Sequence, residues 1–224
     1  MASVVEIWRY PVKSMAGERL DSCAVTATGL EGDRRWALVD GTPNRAGKFL
    51  SIREEELLMT YRARLDGGTV EVVSPDGETY RMGERVVSRI AAETSRPLTL
   101  RELEGANFDD SPVLVVNLAT VSAFGLRSGM LVDHRRFRAN LYVDGLESDE
   151  EVAWLGRRLK VGEAELEAVK RCGRCVVITH DPDTTVTTPR LLRVLTETYD
   201  TYMGLYCQVT RPGQVVEGDH LQLG

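Results

Sequence analysis

The first half of the chain consists of short runs of β-branched, aromatic and alternating apolar residues, separated by turn-forming segments. Such runs are typical of strands, because branched and aromatic side chains pack well on a pleated, half-buried surface. They predict strands at residues 4–10, 22–26, 36–40, 69–74 and 78–82. The last two flank Pro75-Asp76-Gly77, in which Pro presets φ and Gly accepts a positive φ, so we expect a hairpin there.

Two segments have the apolar spacing of amphipathic helices. Residues 84–94 carry apolar side chains at helical intervals, and residues 189–199 begin with Pro and place three Leu on one face. A shorter helix is predicted at residues 120–126. The remaining apolar runs predict strands at residues 112–116, 137–143, 158–161, 165–169, 176–179, 206–210 and 218–223.

The predicted elements favour an α+β, β-rich fold with two domains. Arg96-Pro97 ends the first helix, and we place the domain boundary there, which gives domains at residues 1–95 and 96–224. Many short strands at this spacing are typical of barrels and not of an open parallel sheet.

Composition and charge narrow the class of protein. A net charge of -6 over 224 residues argues against a nucleic-acid-binding protein, which needs basic surface to displace counterions. Yet 24 of the 28 basic residues are Arg, whose planar donors suit phosphate and carboxylate. No segment approaches the roughly 20 apolar residues of a membrane span, and the N-terminus lacks a signal-peptide pattern. Four irregularly spaced cysteines do not suggest a disulfide scaffold, so we expect a cytoplasmic protein.

The segment Arg171-Cys172-Gly173-Arg174-Cys175 is the first candidate for chemistry. The cysteine pair suits half of a zinc site, but a structural zinc needs four ligands and the sequence has no second cluster. It also suits a redox dithiol, although the following residues 176–179 have the pattern of a strand and not of a helix. A third interpretation is one exposed thiolate at Cys175, favoured by the neighbouring arginines. Two buried structural cysteines remain an alternative.

Five segments along the chain form a recognisable set. They are Tyr10-Pro11-Val12-Lys13-Ser14, Gly32-Asp33-Arg34-Arg35-Trp36, Arg136-Phe137-Arg138-Ala139-Asn140, the run from Arg174 to Thr184, and Tyr206 with Gly218-Asp219-His220-Leu221. In this order they resemble MOSC-domain proteins, in the branch of the mitochondrial amidoxime-reducing component and its bacterial YcbX relatives. The resemblance implies a MOSC-type β-barrel domain packed against an N-terminal β-barrel-like domain.

The resemblance also implies a cofactor and the residues that bind it. In this family a molybdenum cofactor, the metal held by molybdopterin, takes one protein thiolate, which corresponds to Cys175, and a soft sulfur ligand suits that metal. The residues at matching cofactor-binding positions are Lys13, Ser14, Arg34, Asp110, Ser111, Arg138, Gly173, Arg174 and Tyr206. Their amino, guanidinium and hydroxyl groups are donors of the kind that the phosphate of the pterin requires.

The sequence departs from the family pattern at several points. Ala139 replaces the usual Pro, and Thr185 stands where the amidoxime-reducing branch has Gly. The chain also lacks the four cysteines of the iron–sulfur domain found in the YcbX type. We therefore expect electrons to come from a separate electron-transfer protein and its reductase. Asp181, with His180, is a candidate proton-transfer residue; alternatively Asp181 only caps a turn.

The function implied is two-electron reduction of a small N-hydroxylated substrate by a molybdenum-dependent oxidoreductase. Two alternatives stay open. One is a sulfur carrier or sulfurtransferase that uses a persulfide on Cys175, and the other is a molybdenum-cofactor carrier without turnover. The sulfur carrier needs no phosphate-binding N-terminal domain, so Lys13 and Arg34 weigh against it.

Overall fold

The structure, a computed structural model, describes residues 1–103 and 108–224 and confirms an α+β, strand-rich fold. The strands are β1 (Ser3–Arg9), β2 (Glu18–Leu20), β3 (Ser22–Thr26), β4 (Gly29–Leu30), β5 (Trp36–Asp40), β6 (Lys48–Phe49), β7 (Arg62–Asp66), β8 (Thr69–Val73), β9 (Thr79–Arg81), β10 (Leu98–Glu102), β11 (Val113–Asn117), β12 (Leu141–Asp144), β13 (Arg158–Val161), β14 (Ala164–Gly173), β15 (Tyr202–Arg211), β16 (Gly213–Val216) and β17 (Leu221–Leu223). The α-helices are α1 (Glu84–Thr94), α2 (Leu118–Ser128) and α3 (Pro189–Tyr199). Short 3-10 helices occupy Glu56–Thr60, His134–Phe137, Glu150–Trp154 and Val176–Thr179.

A curled eight-stranded sheet, in the order β17-β13-β14-β15-β11-β12-β1-β2, forms the larger layer. Its inner face buries an apolar cluster that includes Val4, Val115 and Leu205. The small sheet β16-β3-β4 contributes Val25 and Val215 to the same cluster. The N-terminal strand β1 thus pairs with β12 from the second half of the chain, so the two halves share one core.

The other face of the large sheet packs against α2 and α3. Phe124 on α2 and Tyr199 on α3 meet edge to face, with ring centroids 6.1 Å apart. Asn117 begins α2, because its side chain accepts a hydrogen bond from the amide of Ala119 at 3.0 Å. Pro189 begins α3, where a missing N–H costs nothing.

A second layer consists of the sheets β10-β5-β6 and β7-β8-β9 with α1 packed on them. α1 buries Val86, Val87 and Ile90 against this layer, and it ends at Ser95, which has a left-handed φ of 53°. The cluster also contains Val12 and Met15, which follow β1. The segment after β1 therefore runs from the large sheet into the second layer.

Most predicted elements are confirmed, several to the residue. The predictions for β3, β5, β13, α1 and α3 have the observed bounds. Strand β14 extends beyond the predicted residues 165–169 as far as Gly173, so Cys172 lies inside a strand. The strands β2, β4, β6, β7, β10 and β16 were not predicted, because their runs are too short or too polar to stand out.

Two strand predictions are wrong. Residues 176–179 form a 3-10 helix, since their polar groups bond within the run, as when Thr179 Oγ1 donates to the Val176 carbonyl at 2.7 Å. The strand expected at residues 176–179 was an observation against a redox dithiol, and this strand is absent. The four-residue 3-10 helix found there is also too short to be the helix that follows the dithiol in a thioredoxin-like unit. Residues 137–143 are not one strand either: Arg138 has a φ of 51°, so the chain turns there before β12 begins.

Candidate functional site

A cleft between the two layers collects most of the sequence-predicted residues. Its walls enclose about 800 Å³, including the open mouth. Six basic residues and one acidic residue line it. The basic residues are Lys13, Arg34, Arg53, Arg136, Arg138 and Arg174. A cavity with this excess of cations is suited to an anionic ligand.

The turn after β1 presents Lys13 and Ser14 to the cleft. The amide of Lys13 donates to the Trp36 carbonyl at 2.7 Å, which holds the turn beside β5. Ser14 has a left-handed φ of 72°, and its hydroxyl accepts from the amide of Ile52 at 3.3 Å. The amino group of Lys13 pairs with Asp109. Burial lowers the pKa of Lys13, and the attraction of Asp109 only partly offsets this.

Arg34 and Arg138 stack on Tyr10. Their guanidinium carbons lie 4.9 Å and 4.4 Å from the centre of its ring. Arg34 donates to the Arg138 carbonyl at 3.2 Å, and Arg138 donates to the Met15 carbonyl at 2.7 Å. Asp33, which is buried, pairs with Arg34 and also accepts from the amide of Tyr10 at 2.7 Å. The fold thus holds two cations in fixed positions before any ligand binds.

The two neighbouring cysteines differ in environment. Cys172 is 1% exposed in β14, whereas Cys175 is partly exposed and lies just before the 3-10 helix Val176–Thr179. Gly173 lines the cleft between them. Arg174 is anchored by bonds of 2.8 Å to the carbonyls of Met203 and Phe137. Only Cys175 therefore has the accessibility that a ligand thiolate requires.

Arg53 and Asp109 belong to the cleft but were not predicted. The Arg53 guanidinium donates to Asp109 at 2.8 Å and lies beside Cys175. Burial lowers the pKa of Arg53, but Cys175 and Asp109 outweigh it and raise the pKa above its ordinary value. Burial likewise raises the pKa of Asp109, and Lys13 and Arg53 more than compensate, so it lies at about 2. No motif marks these residues; only the fold brings them to the cleft.

The other predicted residues divide between the cleft and its surroundings. Ser111 and Tyr206 line the cleft, and Tyr206 lies beside Cys172. Burial, with the nearby Cys172, raises the pKa of Tyr206, so its hydroxyl stays protonated. Asp110 is exposed, is not among the lining residues and pairs with Lys170.

Asp181 lies just outside the cleft in a tight turn. Its Oδ1 accepts from the amides of Asp183 and Thr184 and from the Thr184 hydroxyl, and its Oδ2 pairs with Arg136 at 3.1 Å. Burial raises the pKa of Asp181, but these hydrogen bonds lower it more, so the group stays ionised. The neighbouring His180 is 6% exposed, and its Nδ1 has no hydrogen-bond partner among the described residues. Asp181 therefore caps the turn, and its role in proton transfer stays a prediction.

The side chains of the cleft fit a molybdopterin-type cofactor. Such a group needs one soft ligand and an anchor for phosphate, and Cys175 and the basic residues are of these types. Arg174 Nη2 is buried and has no hydrogen-bond partner within residues 1–103 and 108–224, so it has a donor to spare. Over the same residues no cluster of three or more His, Cys, Asp or Glu side chains could hold a metal, which leaves zinc without a ligand set.

Fold and site together define a two-layer, strand-rich protein with a cationic cleft and one accessible thiol. The chain belongs to the MOSC domain family: the MOSC domain matches residues 101–222, and the MOSC N-terminal beta barrel domain matches residues 1–111. The YuaD protein from Bacillus subtilis has a similar fold, with a TM-score of 0.55 and 17% identity over 99% of this chain and 94% of that chain.

Curated relatives have two kinds of name. Mitochondrial amidoxime-reducing component 1 from Homo sapiens is 25% identical over 83% of this chain and 68% of its own length. Molybdenum cofactor sulfurase from Caenorhabditis elegans is 27% identical over 86% of this chain but only 31% of its own length. Both names refer to chemistry of molybdenum or of N-oxygenated compounds. Among the described residues, no helix is long and apolar enough to span a bilayer.

Proposed function

We propose that the protein is a molybdenum-cofactor-dependent oxidoreductase that reduces small N-hydroxylated compounds. The observation that carries the proposal is the convergence of Cys175 and six basic side chains in one cleft. Similarity to amidoxime-reducing components supports the reductase activity. The bound cofactor would supply the two-electron chemistry, and the protein would supply position, charge and protons.

The residues of the cleft have distinct proposed roles. Cys175 is the protein ligand of the metal, and Lys13, Ser14, Arg34 and Arg138 hold the phosphate end of the pterin. Ser111, Gly173, Arg174 and Tyr206, which line the cleft, complete the proposed binding site, and Asp110, which is not part of this lining, stays a prediction. Tyr206 keeps its proton and can donate a hydrogen bond from its hydroxyl. Asp181 stays a proposed proton-transfer residue; because loss of the substrate oxygen as water consumes protons, its ionised carboxylate would take up each proton from solvent and pass it on.

Sulfur transfer is the second candidate, because molybdenum cofactor sulfurases are also similar to this chain. In that case Cys175 would carry a persulfide. The basic cleft suits both functions, since the cofactor named in these sulfurases carries the same phosphate, and the similarity to amidoxime-reducing components is what favours the reductase. A cofactor carrier without turnover would use the same cleft and differ only in its lack of activity.

Metal and pterin analysis of protein from a cofactor-producing host tests the proposal. We expect about one molybdenum per chain, since one thiolate completes one metal centre, and reduction of benzamidoxime with reduced viologen. Replacing Cys175 by Ala should abolish activity, although the pterin can still hold the metal in the basic cleft, whereas Cys172→Ala should retain activity. Equal loss from the two substitutions would point to a dithiol. Loaded but inactive protein would favour the carrier, and a persulfide on Cys175 without molybdenum would favour sulfur transfer.

We also propose a cytoplasmic location and an external electron-transfer protein with its reductase. All four cysteines are free thiols, which is the usual state in a reducing compartment. The electron donor remains to be identified by its ability to replace viologen.

A further inference from the structure

A second cavity, which we call the Trp8 pocket, lies next to the cleft. Its lining includes Trp8, Tyr10, Arg62, Arg135, Arg138 and Asp183. Arg138 also lines the cofactor cleft, so it is the wall that the two cavities share. No proposed cofactor contact other than Arg138 lies in the Trp8 pocket, so the proposed function leaves this space unexplained.

The floor of the Trp8 pocket is aromatic. The rings of Trp8 and Tyr10 are stacked, with centroids 6.4 Å apart and planes 20° from parallel. Arg138 covers the Tyr10 ring at 4.4 Å. Aromatic surface beside a guanidinium group suits a planar ring, which packs on one and is attracted by the other.

The rim of the Trp8 pocket is basic and holds one carboxylate. Asp183 accepts from Arg135 at 2.6 Å and from Arg62 at 3.4 Å. The Arg62 and Asp183 side chains are 69% and 46% exposed, and exposed ion pairs contribute little to stability. Arg135 holds Asp183 through two hydrogen bonds, of 2.6 Å and 3.1 Å, and also pairs with Asp133. The carboxylate of Asp183 thus marks an anion position between two arginines, which a ligand would take by replacing the exposed contact with Arg62 and the paired contact with Arg135.

We propose that the Trp8 pocket binds small planar organic anions, of which an aromatic carboxylate is the simplest. The ring would pack against Trp8, and the carboxylate would take the place of Asp183 between Arg62 and Arg135. Three arginines line the pocket, and Asp183 together with Asp133, which pairs with Arg135, leaves one net positive charge for such a ligand. The site shares Arg138 with the cofactor cleft but uses none of the other proposed cofactor contacts, so the proposal does not depend on the activity proposed for the cleft.

Isothermal titration of the full-length protein with benzoate tests the proposal. Benzamide removes the charge from the ligand, acetate removes the ring, and inorganic phosphate tests for a general anion site. We expect benzoate to bind about tenfold or more tightly than benzamide or acetate, because it alone uses both the ring surface and the arginines. Phosphate can also bind in the basic cofactor cleft, so the variant Arg62→Ala separates the two sites. Phosphate binding that is as tight as that of benzoate and is equally weakened by Arg62→Ala would overturn the proposal.

Two substitutions should change benzoate affinity in opposite directions. Arg62→Ala removes one arm of the anion position and should weaken binding about tenfold. Asp183→Asn removes the competing carboxylate and should tighten binding severalfold. Arg64→Ala is the matched control, since Arg64 lies on the same strand β7 but pairs with Glu71 outside the pocket. If neither Arg62→Ala nor Asp183→Asn changes the affinity for benzoate, then benzoate binds at another site and the proposal is refuted.

Discussion

Three side chains proposed to bind phosphate extend from left-handed backbone. Ser14, Arg34 and Arg138 have φ values of 72°, 48° and 51°. This region is uncommon for residues other than Gly, and such strain is concentrated at functional sites, where the surrounding structure maintains it. The resemblance of motifs identified these residues from sequence, but not their backbone strain. Arg53 and Asp109 were not predicted as site residues, because their contact joins segments that are 56 residues apart in the sequence.

Lys13 gives the cleanest test of the phosphate site. Its amino group contacts Asp109, which keeps Arg53 as a partner when Lys13 is replaced, so Lys13→Ala should fold. Loss of one charged contact costs about 1.5–3 kcal/mol, which corresponds to roughly a tenfold to hundredfold loss of cofactor affinity. Pterin content and thermal unfolding of the purified variant measure the two effects. Lys48→Ala, at an exposed lysine outside the cleft, should retain its pterin. A Lys13→Ala variant with a lower melting temperature but an unchanged pterin content would show that Lys13 is structural.

Asp109 predicts a dependence of stability on pH. Its pKa falls from 3.8 to about 2 on folding, so the folded state binds this proton more weakly than the unfolded state. The resulting stabilisation is complete well above pH 3.8 and is lost as the pH falls towards 2. Asp109→Asn should therefore lower the free energy of unfolding near neutral pH, by under about 1 kcal/mol because the group is half exposed. The difference from wild type should shrink in urea titrations as the pH falls below 4; a constant difference would contradict the assignment.

At the scale of elements, local signals decided what the sequence could predict. Helices α1 and α3 were predicted to the residue because apolar periodicity and, in α3, an initial Pro agree with their packing. The β-branched run 176–179 has the pattern of a strand, and the strand prediction for it was wrong. The amide of Ile178 donates to the Cys175 carbonyl and that of His180 to the Val177 carbonyl, which makes the run a 3-10 helix. At Ala139 the sequence showed a departure from the family pattern but not its consequence. Ala has an amide N–H that Pro lacks, and this N–H donates to the Tyr142 hydroxyl at 3.2 Å.

The turn that follows Asp181 contains a strained residue. Thr185 has a φ of 61°, a conformation that is unfavourable for a β-branched residue and natural for the Gly found there in the amidoxime-reducing branch. Its amide donates to the Asp181 carbonyl at 2.9 Å, so the turn keeps its shape despite the strain.

Thr185→Gly should raise the free energy of unfolding by up to about 1 kcal/mol, because relief of the left-handed strain exceeds the added chain entropy. Urea unfolding measures the change. Thr185→Ala keeps a Cβ at the same φ and should recover much less. Equal effects of the two substitutions would show that the branched side chain, and not the backbone, is the source of the strain.

On the scale of the whole molecule, the cleft depends on both halves of the chain. Lys13, Arg34 and Arg53 come from the first half, and Arg138 and Cys175 come from the second. Strand β1 ties these halves together, since it pairs with β12 and leads directly into the Lys13 turn. The sequence predicted two strand-rich domains, but this interleaving depends on strand pairings between distant segments, which local patterns do not encode. The boundary near residue 96 stays a proposal.

The architecture predicts how the molecule receives electrons. Among the described strands, β11 and β12 are the one parallel pair, so there is no doubly wound parallel sheet of the kind that binds nicotinamide dinucleotides. The sequence also has no Gly-x-Gly-x-x-Gly turn between a strand and a helix. We therefore expect the molybdenum-loaded protein to reduce benzamidoxime with reduced viologen, and to use NADH only when a reductase and a small redox carrier are added. Cys175→Ala, which should be inactive, is the control for reduction by viologen alone. Oxidation of NADH by the purified chain, coupled to benzamidoxime reduction, would refute the prediction. Molybdenum-loaded protein that is inactive with reduced viologen would instead favour a cofactor carrier.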